Sequence, residues 1–414
     1  MEPRAGNPSP SGRNGASVES GVTEASISRP RIDSIDLLRG LIMVIMALDH
    51  VRDHFSKATF DPTDLTQTTP GYFLTRWITH FCAPVFVLLA GTGARLSRKG
   101  GKSTRDLARF LWTRGLWLIF LEFTIVRPGW IFGSGAARVL WGEVLWAMGC
   151  SMVALAGLVF LPAGRIAVVG VVLLVGHNLL DPVDRMDLGA ANWLWTALHR
   201  VGEFSLAGFA RFHVGYPLLA WIGVLACGYA LGEVFLWETE RRRRFLVRLG
   251  FSAITGFVLL RAARVYGDPE PWQREANDLF TIFSFLNCTK YPPSVLFLLM
   301  TLGPSLLALA WFERASLPRA WRPLLVFGRV PLFYYLLHFT VIRGGAVAAG
   351  LMARHAGGRI VDLQLGTHDH SSGFRLGLPG VYLVWVLVVL AIYPACRWFA
   401  EVKRRHTSSL LSYL

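Results

Sequence analysis

From about residue 35 onward, apolar residues run in long blocks separated by short polar stretches. A membrane-spanning helix needs roughly 20 mainly apolar residues. Segments of that kind lie at 35–55, 72–95, 107–127, 138–161, 165–181, 214–237, 245–265, 294–313, 324–347 and 378–400. The pattern predicts an all-α, polytopic membrane protein of about ten transmembrane helices. The fifth segment is short. The ninth is long, and Gly328 and Pro331 can divide it. Pro84 inside the second removes one helical hydrogen bond, so the carbonyl near residue 80 can face a cavity. Gly91 and Gly93 permit close helix contact there. Residues 1–30 are rich in Ser, Gly, Pro and Asn and lack an apolar core stretch, which predicts a disordered tail and not a signal peptide. One membrane domain is expected over 31–405.

Composition agrees: 53% of the 414 residues are apolar and 17% are charged. That excludes a disordered chain, a disulfide scaffold and an ordinary soluble domain. The net charge of +15 permits a nucleic-acid reading, but the positions of the charges argue against it. Basic residues cluster beside apolar blocks at Arg95, Arg98, Lys99, Lys102 and Arg105, at Arg241–Arg244, and at Lys403, Arg404 and Arg405. Such clusters set topology and contact lipid headgroups. Ten spans with both termini cytoplasmic place these clusters inside. The inner (plasma) membrane is then the expected location, and the lipid bilayer the first partner. The five cysteines form no CxxC or zinc spacing, and no disulfide framework is expected.

The loops opposite the basic clusters carry Trp130, Trp193, Trp195 and Trp272, with polar patches such as DPTDLTQTT and GDPEPWQREAND. Tryptophan at a membrane is most often an interfacial anchor. The sharper reading is a vestibule facing carbohydrate or lipid headgroups.

Chemistry concentrates in the first two segments. The first reads IDLLRGLIMVIMALDHVRDHF, with Asp36 and Arg39 at one end and Asp49, His50, Arg52, Asp53 and His54 at the other. Eleven residues return a helix to within about 20°, so Arg39 and His50 share a face about 16 Å apart. Ionisable groups inside a span cost about 2.5–3.5 kcal/mol each on insertion scales and usually face a bundle interior or a water cavity. In the second segment Arg76 and His80 are i, i+4 partners. The bland alternative for all of these is mutual satisfaction at the headgroup level.

His338, four residues after Tyr334, reads as an interior histidine or a substrate contact. Arg329 and Lys290 are further candidates: Arg329 for a phosphate, Lys290 for a snorkelling or ligand-facing role. His177, Asn178 and Asp181 close the fifth segment as a helix end. His368, Asp369 and His370 are weak evidence for a metal site, and no metal is expected. Walker, GxGxxG and GxSxG motifs are missing.

The opening Ser34-Ile-Asp36-Leu-Leu-Arg39-Gly40 before an apolar helix resembles the heparan-alpha-glucosaminide N-acetyltransferase catalytic domain family. The segments FDPTDLTQTTPGYFLTRWITHFCAPVFVLLAGTGA, KYPPSVLFLLMTLGP and GRVPLFYYLLHF resemble its bacterial membrane branch. The broader transmembrane acyltransferase superfamily has an inner-end arginine followed eleven residues later by a histidine, and Arg39 and His50 match that spacing. In animal members the position aligned with His50 holds a functional asparagine, and the catalytic histidine follows in the loop before the second span. Loop 56–71 of this chain holds no histidine, which leaves His50, His54 and His80 as substitutes.

The resemblance implies a membrane-embedded acyltransferase. It would move an acyl group, most simply acetyl, from cytoplasmic acyl-CoA to a sugar or glycolipid hydroxyl or amine outside. Acetyl-CoA is a donor substrate in this reading, and no tightly bound cofactor is expected. The expected catalytic residues are His50, His80, Asp49 and Asp53; Arg39, Arg76, Arg329, Lys290 and His338 are expected to contact acyl-CoA or acceptor. A homodimer fits the family. A transporter or flippase without covalent chemistry is the competing class, and facing histidines could also ligate haem.

Overall fold

Each of the ten apolar segments contains a helix, and local chemistry sets where many of them begin and end. The computed structural model describes residues 32–98, 101, 103–126, 139–206, 210–314, 318–355 and 375–406. Residues 33–414 cluster as one compact unit. The tail 1–30, Trp130 and the His368–His370 group lie outside the described residues.

The helices are α1 (Asp33–Phe55), α2 (Pro70–Thr79), α3 (Cys82–Arg98), α4 (Thr104–Leu121), α5 (Val144–Leu158), α6 (Ala163–Gly176), α7 (Asn192–Leu198) and α8 (Leu218–Val234). They continue as α9 (Thr239–Ala263), α10 (Asp278–Leu286), α11 (Val295–Phe312), α12 (Arg322–Arg329), α13 (Pro331–His355) and α14 (Leu378–Arg405). Ser103 and Asp106 form a reciprocal capping box at the start of α4. Ser294 caps α11 by accepting from the Phe297 N–H at 3.1 Å.

Two segments divide. The ninth breaks between α12 and α13 at Val330, because Pro331 has no N–H with which to continue the helix. The second breaks at His80–Phe81. Pro84 falls in the first turn of α3, where its missing N–H costs no helical bond; the hydrogen bond expected to be lost inside one helix is instead a break between two.

Among the described residues, six helical stretches are long and apolar enough to cross a membrane: Pro70–Arg98, Ala163–Asp184, Thr239–Ala263, Val295–Phe312, Pro331–Met352 and Leu378–Arg405. α5 and α8 are apolar but shorter, and α1 and α4 carry too many charges to meet the same standard. Val168, Val171 and Val172 on α6, Phe251 and Leu259 on α9, and Leu383, Leu387 and Leu390 on α14 are all exposed. Apolar faces of this extent are stable only where the surrounding solvent is itself apolar. The chain is a membrane protein.

α1 lies at the centre, packed against α2, α3, α11, α12, α13 and α14. Small residues let backbones meet without side chains between them. A Cβ added at Gly91 would overlap the Leu225 carbonyl of α8, and one at Gly228 the Leu88 carbonyl of α3. Gly93, expected to play the same part, faces open space.

The fold is mostly helical, as expected, and adds one small sheet. β1 (Val139–Gly142), β2 (Gly202–Leu206) and β3 (Ala210–Val214) form a small sheet in the order β1-β3-β2. β2 and β3 form an antiparallel hairpin, and β1 joins β3 in parallel, pairing Val139 with Arg211 and Gly142 with Val214. β1 takes the first residues of the segment read as a span at 138–161; helix starts only at Val144. Glu122, in the π-turn Glu122–Val126 that ends α4, accepts from the backbone N–H groups of Leu145 and Trp146 at 2.9 and 3.1 Å. This buried carboxylate thereby holds the N-terminus of α5, where helix N–H groups favour an anion.

Two of the loop tryptophans are tied to the protein. Trp195 Nε1 donates to Asp184 at 2.7 Å, and Trp272 Nε1 donates to the Arg261 carbonyl at 3.0 Å. Trp193 stays exposed, as an interfacial anchor would.

Candidate active site

α1 carries a polar cluster at each end. At the Asp33 end, Arg39 Nη1 donates to Asp36 Oδ1 and to the Gly328 carbonyl of α12, both at 3.0 Å. Arg329 reaches the same place from α12, with Nη2 3.4 Å from Asp33 and Nε 3.9 Å from Asp36. Gly328 allows this meeting, since an added Cβ would overlap the Asp36 carbonyl. Both arginines are therefore balanced by carboxylates, and a phosphate arriving here would have to share or displace Asp33 or Asp36.

At the other end Asp49 is the hub. Arg76 Nη1 contacts its two oxygens at 3.0 and 2.7 Å, Arg52 Nη2 lies 2.9 Å away, and Thr79 Oγ1 donates at 2.9 Å. Arg52 also pairs with Asp53 at 2.6 Å. Arg76 and Thr79 thus tie α2 to Asp49 of α1, and Arg52 and Asp53 complete the charge cluster within α1. Asp49 and Asp53, expected among the catalytic residues, pair with guanidinium groups and Thr79 and not with the His50 ring. The full charges attract each other far more strongly than either attracts a neutral imidazole.

Removing one partner of such a pair strands a buried charge. Arg76→Leu is expected to lower stability by about 3 kcal/mol, the low end for breaking a buried pair, because Arg52 still holds Asp49. Unfolding in mixed SDS micelles measures it. Adding Asp49→Leu should recover most of the loss, and no recovery would show that the Arg76 contribution lies elsewhere.

His50 turns to the opposite neighbour. Its ring lies 5.2 Å from that of His338 and 4.2 Å from Phe339, centroid to centroid. His338 is fully buried, and its Nδ1 is 3.0 Å from the Tyr334 carbonyl. A carbonyl only accepts, so that nitrogen carries the proton and Nε2 presents a lone pair. Among the described residues, His338 Nε2 and His50 Nδ1 are buried without a hydrogen-bond partner. His54 is tied down by its Nδ1 contact with the His50 carbonyl at 2.9 Å.

His80 ends α2 and packs against Phe297 of α11, with ring centroids 5.5 Å apart. Its Nδ1 is also buried and unpartnered. Lys290, at the entry to α11, holds its Nζ 5.0 Å from the centre of the Tyr291 ring. The structure brings together two sets, Arg39 with Arg329, and His50 with His338, at opposite ends of one helix.

Sequence reasoning named both members of the histidine pair but did not connect them. They lie on helices far apart in the chain, and neither periodicity nor spacing reports that contact. It also missed Glu122 and the group formed by Asp181, Asp184 and His199, whose donor atoms lie within 4.8 Å of one another.

The family model for the catalytic region of heparan-alpha-glucosaminide N-acetyltransferase matches residues 31–262. That stretch runs from α1 to the end of α9 and includes Arg39, Asp49, His50, Arg76 and His80. Lys290, Arg329 and His338 lie beyond it. A comparison with curated proteins gave no match. With more than half of its length matched, the chain belongs to the heparan-alpha-glucosaminide N-acetyltransferase catalytic family.

Proposed function

We propose that the protein is an integral-membrane acetyltransferase acting on a sugar. In this reading acetyl-CoA binds from the cytoplasm near Arg39 and Arg329, and a sugar or glycolipid acceptor approaches from the other side, near His50. All ten helical segments cross, both termini are cytoplasmic, and the bilayer is the inner (plasma) membrane. The short loops rich in arginine and lysine support that orientation.

The observation that carries the reading is the unsatisfied histidine pair in the interior of a chain from this family. A buried polar nitrogen without a partner is costly, so it is kept where a substrate supplies the missing bond. Alcohols and ammonium groups are poor nucleophiles until a base takes their proton. In this reading His50 is that base. The acceptor oxygen or nitrogen then attacks the thioester carbonyl, the carbon–sulfur bond breaks, and the proton held by His50 is available to the departing CoA thiolate. His338 holds the His50 ring in place from behind. Arg76 and His80 lie on the acceptor side, where they can polarise the carbonyl. Asp49 and Asp53 serve by fixing Arg76 and Arg52.

The test is transfer itself. Purified protein in proteoliposomes, given acetyl-CoA labelled in the acetyl group and a panel of amino sugars and glycolipids, should yield a labelled acceptor. Label retained wholly in CoA and free acetate across the panel, with folded protein, would shift the weight to the transporter class.

A second expected result concerns the donor end. Arg329→Gln should raise the KM for acetyl-CoA about 10–100-fold, the effect of one charge-assisted hydrogen bond, and leave kcat nearly unchanged. A fall in kcat at constant KM would place Arg329 at the chemistry instead.

A further inference from the structure

We propose that Asp181, Asp184 and His199 form a binding site for a divalent transition-metal ion, outside the acyl-transfer site and independent of that reading. Asp181 and Asp184 sit on the 3-10 stretch His177–Arg185 that follows α6, and His199 ends α7. The His199 side chain is fully buried, while each aspartate side chain is 26% exposed and leaves a way in for an ion.

The argument rests on what surrounds the His199 ring. Nδ1 faces Asp184 Oδ1 at 3.2 Å; Nε2 faces the His177 carbonyl at 2.9 Å and Asp181 Oδ1 at 3.5 Å. All three are acceptors. A neutral imidazole has only one N–H to offer, so one nitrogen is left with its lone pair pressed against oxygen lone pairs. With the proton on Nδ1, Asp184 and His199 make the carboxylate–histidine pair that commonly orients a metal-binding imidazole. Nε2, Asp181 Oδ1 and the His177 carbonyl then converge, and the Asn178 amide, 3.4 Å from that oxygen, donates to the carboxylate and not to Nε2. A cation relieves that arrangement.

A second observation points the same way. His177 is 2% exposed, and its Nδ1 lies 3.0 and 3.2 Å from the Leu174 and Leu173 carbonyls. Its Nε2 is therefore the unprotonated nitrogen, and it is buried without a partner. Its ring centroid is 5.9 Å from that of His199. Trp195 Nε1 donates to Asp184, and Asn178 Nδ2 donates to Asp181 at 3.1 Å, which fixes both carboxylates in place. Mixed imidazole and carboxylate donors suit zinc and its first-row neighbours better than calcium.

The site would tie the end of α6 to the neighbouring helices. Asn178 Oδ1 already accepts from the Val295 N–H at the start of α11 at 2.9 Å.

Zinc content of tag-free protein, stripped with chelator, reloaded and dialysed, is the direct test. About one zinc per chain is expected in the wild type and in the His368→Ala/His370→Ala variant, which removes the other histidine-rich group. His199→Gln and Asp181→Asn should lose it; Asp184→Asn should weaken binding about 10–100-fold, as outer partners of a metal ligand do. Asp181→Asn alters a partly exposed group, so its monodisperse elution keeps the comparison valid if His199→Gln fails to fold. Zinc should also raise the melting temperature of the wild type and not that of Asp181→Asn. No zinc above background in folded wild type, or equal loading in Asp181→Asn, would overturn the proposal and leave a proton on His199 Nε2 as the cation.

Discussion

His50→Ala should cut acetyl transfer by about 10²–10⁴-fold, the usual contribution of a positioned general base. The same variant should bind acetyl-CoA within a few-fold of the wild type, because Arg39 and Arg329, the proposed donor contacts, lie about three helical turns away. The protein should remain folded. His50 makes ring contacts with His338 and Phe339, but no hydrogen bond through its buried Nδ1 is lost. His338→Gln separates the two roles. It removes the ring behind His50 without removing the base, so a smaller loss with an altered pH profile is expected. Equal and complete losses in both variants would mean that the histidines act as one unit.

Gly328→Val should abolish the folded protein, and Gly328→Ala should come close. At this position the crossing of α1 and α12 brings two backbones into contact. An added Cβ would overlap the Asp36 carbonyl, and one at Gly40 the Leu324 carbonyl. Overpacking into flexible side chains costs about 1–3 kcal/mol. Backbone carbonyls inside helices cannot swing aside, so the expected loss exceeds about 3 kcal/mol. The damage also reaches the site, since Arg39 donates to the Gly328 carbonyl and to Asp36. Gly344→Ala on α13 is the control. Nothing lies within 4 Å of an added Cβ there, and helix propensity alone should make the change neutral or stabilising by up to about 1 kcal/mol. Yield of monodisperse protein and thermal unfolding in detergent measure all three. A well-folded Gly328→Val would contradict the close crossing.

The helical segments were legible because period and length are local properties. Ten apolar blocks each contain a helix, and the division near Gly328 and Pro331 follows from proline chemistry. The strands were hidden for the opposite reason. Val139–Gly142 reads as the start of an apolar span, and only its partner Arg211–Val214, far along the chain, makes it a strand. Site residues show the same split. His50, His80, Asp49 and Arg76 announce themselves as charges within apolar blocks. Their partners do not: Asp49 could have paired with histidine or arginine on sequence grounds, and geometry chose arginine.

The proposed enzyme binds an acyl donor at one end of α1 and uses a histidine at the other. The most direct test is calorimetric titration of purified protein in detergent with acetyl-CoA, comparing wild type, His50→Ala and Arg329→Gln. Wild type and His50→Ala should bind with similar affinity, and Arg329→Gln more weakly. Absence of binding to folded wild type, for acetyl-CoA and longer acyl-CoAs alike, would contradict this reading.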